Sequence, residues 1–187
     1  MSVKAVAVLT ILLVATAVCA SADITYVYTA NPFDQFWGGD ACPSTCQVTG
    51  WITFAQPLPA GLLTLTFFNP EHFSFTDGNV TINDGNASIA SSIGFTTDWG
   101  GNITGWNIQL FNEAVTTLIF SSTNPPGCNG CDVYDYSYNW DTMAGAIILD
   151  NPGTWTIAGT PEPASVLLVV SGLLAAGMRR VSRNRAA

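Results

Sequence analysis

Between residues 23 and 160 the chain never runs far without a turn signal, and that punctuation sets the class of fold it can reach. Ile24 to Thr29 is β-branched and aromatic. Val48 to Phe54 alternates with period two, which places Val48, Ile52 and Phe54 on one face. Leu62 to Phe68 stops at Asn69-Pro70. Phe73 to Thr76 and Asn79 to Ile82 flank Asp77-Gly78, the strongest short-range hairpin signal in the chain. Asn83-Asp84-Gly85-Asn86 leads into Ala87 to Phe95. Gly105 to Leu110 and Ala114 to Phe120 make a further pair, and Val133 to Trp140, Ala144 to Leu149 and Thr154 to Ala158 follow. No window holds a helical period over roughly 12 residues. About ten short strands at this spacing predict an all-β chain, a single β-sandwich or jelly-roll-like domain over residues 23–158.

Charge is distributed with unusual asymmetry. The five basic residues are Lys4, Arg179, Arg180, Arg183 and Arg185. Of the 13 acidic residues only Glu162 lies outside residues 23–160, which leaves 12 acids and no Lys or Arg within them. Nucleic-acid binding needs Lys and Arg against phosphates, so it is excluded for this segment, and so is docking on anionic lipid headgroups. A solvated, self-repelling domain outside the cell fits.

The two ends read as addresses. Lys4 is a positive n-region, Ala5 to Val18 an apolar h-region, and Ala20-Ser21-Ala22 supplies small residues for cleavage after Ala22. Residues 1–22 are therefore expected to be a signal peptide, removed by signal peptidase. Val18 stands before Cys19 where a lipobox needs Gly or Ala, which argues against lipidation. At the other end, residues 159–187 combine Pro161-Glu162-Pro163, an uncharged run over residues 164–178, and Arg179, Arg180, Arg183 and Arg185. A helix over those 15 uncharged residues would be roughly 22 Å long, short of a hydrocarbon core of roughly 30 Å, so a span needs thinning or snorkelling. The arginines hold their end cytoplasmic. The two prolines keep the triplet extended.

This tail resembles the PEP-CTERM sorting signal of exported bacterial proteins. The resemblance covers about 25 residues at the end of the chain. It implies recognition near Pro161-Glu162-Pro163 by the membrane protease-transpeptidase exosortase. It also implies a place in the cell envelope or extracellular polysaccharide matrix, with a structural or adhesive role and no catalysis.

With Cys19 gone, Cys42, Cys46, Cys128 and Cys131 remain. Four cysteines in an oxidising compartment predict two disulfides, with three connectivities open. Local pairing, Cys42–Cys46 and Cys128–Cys131, is favoured. A four-cysteine zinc site is the competing reading, which the long separation of the pairs and the export signal weigh against. No metal or cofactor is expected.

Few residues offer chemistry. His72 is the only histidine, at a turn entering a strand. The domain's glutamates are Glu71 and Glu113, and no nucleophile elbow, zinc helix or phosphate loop appears. Two features suggest binding. In Asp132 to Asp141, Tyr134, Tyr136, Tyr138 and Trp140 alternate with Val133, Asp135, Ser137 and Asn139. Amphipathic strands bury their apolar face, so the aromatic row is expected in the core. The alternative is a platform for stacking sugar rings, a carbohydrate-binding module. Trp37, Trp99 and Trp106, near Gly-rich turns, are the other candidates for an exposed patch. The second feature is a set of Asn-x-Ser/Thr sequons at Asn79, Asn86 and Asn102. The first two carry an acid two residues upstream, as in the extended sequon of bacterial N-glycosylation, although Asp-Gly-Asn is also ordinary turn chemistry.

Overall fold

A computed structural model describes residues 23–38, 45–128 and 132–158. They form twelve strands and no helix. These are β1 Ile24–Thr29, β2 Gln35–Trp37, β3 Thr49–Phe54, β4 Thr66–Phe67, β5 His72–Thr76, β6 Thr81–Asn83, β7 Ser92–Thr97, β8 Ile103–Asn112, β9 Thr117–Thr123, β10 Val133–Asn139, β11 Ala144–Leu149 and β12 Thr154–Ile157. A five-stranded sheet has the order β12-β1-β3-β5-β6 and a seven-stranded sheet the order β2-β11-β10-β9-β8-β7-β4. Every pairing is antiparallel. The all-β expectation therefore holds for the described residues, as two sheets packed as a β-sandwich. The expected signal peptide and C-terminal helix lie outside them.

The core follows from alternation. Tyr26 and Tyr28 of β1, Ile52 and Phe54 of β3, and Phe75 of β5 point inward from one sheet. Ile93 and Phe95 of β7, Trp106, Ile108 and Leu110 of β8, Ile119 of β9, and Ala146 and Ile148 of β11 meet them from the other. The rings pack largely edge to face: Phe95 lies 5.3 Å from Trp155 at 82°, and Tyr28 lies 5.4 Å from Trp106 at 66°. Such contacts add to the area that the rings bury. Val48, Ile52 and Phe54 share the buried face that their period-two spacing predicts.

The Asp77-Gly78 signal is a hairpin between β5 and β6. Asp77 caps it by accepting from the Asn79 and Val80 N–H groups at 2.8 and 2.7 Å, while Gly78 takes the left-handed φ of 94°. In the seven-stranded sheet, β7 to β11 follow one another as a meander. This meander carries β10 near the middle of the sheet, with β9 and β11 on either side.

Candidate functional site

The orientation of β10 reverses the expectation. Asp135 and Ser137 face the core and are buried, whereas Tyr134 and Tyr136 lie half-exposed on the outer face of the seven-stranded sheet, and Trp140 beyond the strand is exposed. The polar side chains can turn inward because the core supplies partners. The Tyr28 hydroxyl, from the opposite sheet, donates to the Asp135 carboxylate, 2.8 Å from Oδ1 and 3.0 Å from Oδ2. The Gly153 N–H donates to the Tyr28 oxygen at 2.9 Å. Ser121 is also hydrogen-bonded to Asp135, and its Oγ accepts from Trp106 Nε1–H at 2.7 Å. The Ser137 hydroxyl donates to Asp77 Oδ2. With its lone pairs satisfied, a polar strand face tolerates burial.

Burial still penalises the charge. Loss of solvation pushes the Asp135 carboxyl up to about 6, against the opposing hydrogen bonds from Ser121, Tyr28 and the Gly153 backbone. Burial and then the Asp135 charge push the Tyr28 phenol far above its ordinary range. No Lys or Arg lies within residues 23–160 to compensate.

The outer face of β10 is built from rings. Trp37 of the edge strand β2 is nearly parallel to Tyr136 (5.9 Å, 27°) and to Tyr138 (6.4 Å, 28°), and Tyr136 and Tyr138 are parallel to each other (6.1 Å, 15°). At the two ends the orientation changes. Tyr134 stands at 85° to Tyr136, and Trp140 stands at 89° to Tyr138. Phe120 of β9 stacks on Tyr134 at 4.9 Å and braces it. Tyr138 is the foundation: it is buried under its neighbours, and its hydroxyl donates to the Met143 sulfur at 3.0 Å. The backbone makes room for the indole at Gly145, which pairs with Trp37 across the strands. A Cβ there would fall 2.5 Å from Trp37 Cζ2 and 2.9 Å from the Ser137 carbonyl oxygen.

The other candidates distribute differently. Trp106 is a core residue, 6% exposed, which corrects its reading as a surface candidate. Its alternation with Ile108 and Leu110 along β8 carries it inward. Trp99 is exposed, and its ring lies against Gly61. His72 is exposed and its Nδ1 lies 2.8 Å from Asp84 Oδ2. Glu71 and Glu113 are exposed.

Asn79, Asn86 and Asn102 are all exposed, and the acids upstream of the first two serve the fold. Asp77 caps its hairpin and Asp84 pairs with His72. The Asn86 amide donates to the Thr81 carbonyl at 3.1 Å, and the Asn102 amide to Asp98 at 2.9 Å. Asn79 borders a cleft of about 110 Å³ between the sheets, with Asp77, Ser137 and Asn139 on its walls.

Cys46 and Cys128 are in the disulfide-bonded state. Cys42, Cys131, Pro161, Glu162, Pro163, Arg179, Arg180, Arg183 and Arg185 lie outside the described residues. Among the described residues no cluster of His, Cys, Asp and Glu is placed to hold a metal, and no helix is long and apolar enough to cross a membrane. No family model, curated protein or solved structure matches the chain.

Proposed function

We propose that this is an exported envelope or matrix protein, structural or adhesive in role, that contacts neutral polysaccharide through the ring-lined outer face of its seven-stranded sheet. One observation carries the reading: the rings of β10 face outward, with Trp37 laid beside them. Sugar rings present apolar C–H faces that stack on aromatic rings, and hydroxyls that stay in water. The charge pattern narrows the partner. With 12 acids and no Lys or Arg in residues 23–160, the surface repels uronates, sulfated glycans and phosphates. A secreted hydrolase built on Glu71, Glu113 or the aspartates is the weaker reading, since the clefts around Asp77 and Phe67 are each lined by a single carboxylate, Asp77 and Asp84, and the cleft around Trp51 by none, so none of the three pairs two.

Delivery rests on the ends of the chain. Signal peptidase would free residue 23, and exosortase would act near Pro161-Glu162-Pro163, with residues 164–178 holding the protein in the membrane at least until then. The cysteines would pair locally, Cys42–Cys46 and Cys128–Cys131, each pinning one loop. Asn79, Asn86 and Asn102 would be the glycan acceptors, the last two after giving up the hydrogen bonds of their amides.

Two experiments test these parts. The protein purified from exporting cells should be retained on a neutral polysaccharide resin, and Trp37→Ala should weaken that retention with the fold intact by circular dichroism. Equal retention of variant and wild type would remove the aromatic face from the proposal. Fused to an exported reporter, residues 159–187 should anchor it, and replacing the Pro-Glu-Pro triplet should change its processing. A reporter indifferent to the triplet would count against sorting by this tail.

A further inference from the structure

The shape of the aromatic face selects among neutral glycans. Along β10 the ring planes do not form one flat row. Tyr136 and Tyr138 with Trp37 are mutually near-parallel, and they are flanked along the strand by rings nearly perpendicular to their neighbours, Tyr134 at 85° to Tyr136 and Trp140 at 89° to Tyr138. Tyr134 is held by its stack on Phe120, so this end is fixed by packing. The Trp140 backbone is held as well, its N–H donating to the Thr116 carbonyl at 2.9 Å. Residues 134 to 140 of an extended strand span roughly 20 Å, which limits the site to a short stretch of one chain.

From this geometry we infer that the face takes a single, hydrated, extended neutral glycan chain of the β-1,4-glucan type, and not the flat surface of a crystalline polysaccharide. The inference rests on the glycan reading above and deepens it. Equatorial hydroxyls leave both faces of each such sugar apolar, and the β-1,4 linkage keeps successive faces extended, as β10 itself is. A crystal face needs rings lying in one plane, and with Tyr134 and Trp140 perpendicular to their neighbours these rings share none. A free chain can bend between them. The lack of any Lys or Arg in residues 23–160 favours the uncharged chain over an anionic one.

The test compares two physical forms of one polymer. The protein purified from exporting cells is run by affinity electrophoresis through gels containing soluble hydroxyethyl cellulose, and separately mixed with microcrystalline cellulose. Retardation by the soluble polymer with little adsorption to the crystalline one is expected. Trp140→Ala, at an exposed position, should weaken retardation by about tenfold or more, the scale of losing an aromatic anchor. Thermal melting of the variant reports whether the fold is kept, and Trp37→Ala gives a second reading within the near-parallel group. Adsorption to the crystalline form as strong as to the soluble form overturns the inference and leaves glycan binding standing. Binding to neither form overturns both. Retardation unchanged in both folded variants places the site elsewhere and overturns the inference.

Discussion

Asp135 makes the stability of this domain depend on pH in a direction opposite to that of most carboxylates. Its side chain is fully buried, and burial raises its carboxyl from 3.8 to about 6. The folded state therefore binds a proton more tightly than the unfolded chain. Below pH 3.8 both states are protonated and the contribution is constant. Between 3.8 and about 6 the native state holds more protons, so stability falls as pH rises. Above about 6 the loss is complete, at about 3 kcal/mol. With a urea m-value of about 1–3 kcal/mol/M, the midpoint should drop by about 1–3 M between pH 4 and pH 7.5. Asp84 and Asp98 act in another window. A hydrogen bond from His72 lowers the first and hydrogen bonds from Asn102 lower the second, so their stabilisation is lost only as pH falls below about 4. Repulsion among the 12 acids also grows with pH, so the decisive comparison is Asp135→Asn. The amide cannot ionise and can still accept from Tyr28. Its midpoint should lose most of the fall and exceed that of the wild type at pH 7.5. An equal slope in variant and wild type would refute the argument and assign the pH effect to general charge repulsion.

Three further outcomes follow from packing and covalent structure. Phe95→Ala empties a fully buried position among Phe54, Phe68 and Trp155 and should cost about 3–5 kcal/mol in urea unfolding. Gly145→Ala should dislodge the Trp37 indole, visible as a shift in tryptophan fluorescence, and weaken glycan retention; unchanged emission would mean the indole does not rest on Gly145. Intact mass before and after reduction should rise by two hydrogens per bridge, about 4 Da for the two bridges that four cysteines allow, and free thiols that alkylate without reductant would contradict the bridges.

Where local pattern decides structure, the chain was readable. The limits of β1 match the run Ile24 to Thr29, β3 keeps its alternating face, and Asp77-Gly78 turns β5 into β6. Where partners far along the chain decide, it was not. The run Leu62 to Phe68 contributes only Thr66–Phe67 as strand, because its first residues bond elsewhere: the Leu62 N–H goes to the Thr97 side chain and its carbonyl accepts from the Thr97 N–H. Ala87 to Ile89 likewise leave the sheet at a turn in which the Ala87 N–H bonds the Asn83 carbonyl. The strand β2 carries no local signal, with three residues, all exposed, among Pro and Gly. The facing of β10 was unreadable for the deepest reason. Alternation separates the two sides of a strand but does not say which is buried. Here Tyr28, 107 positions away, supplies the donor that lets Asp135 point inward. A search for inward donors able to serve an acid could have raised that possibility.

The first and last strands of the domain lie side by side. β12 pairs with β1 antiparallel, and the Ala158 N–H bonds the Thr25 carbonyl, so the chain enters and leaves at the same corner of the five-stranded sheet. The rings of β10 belong to the other layer. The two ends of the folded unit thus share one corner, on the layer that does not carry those rings.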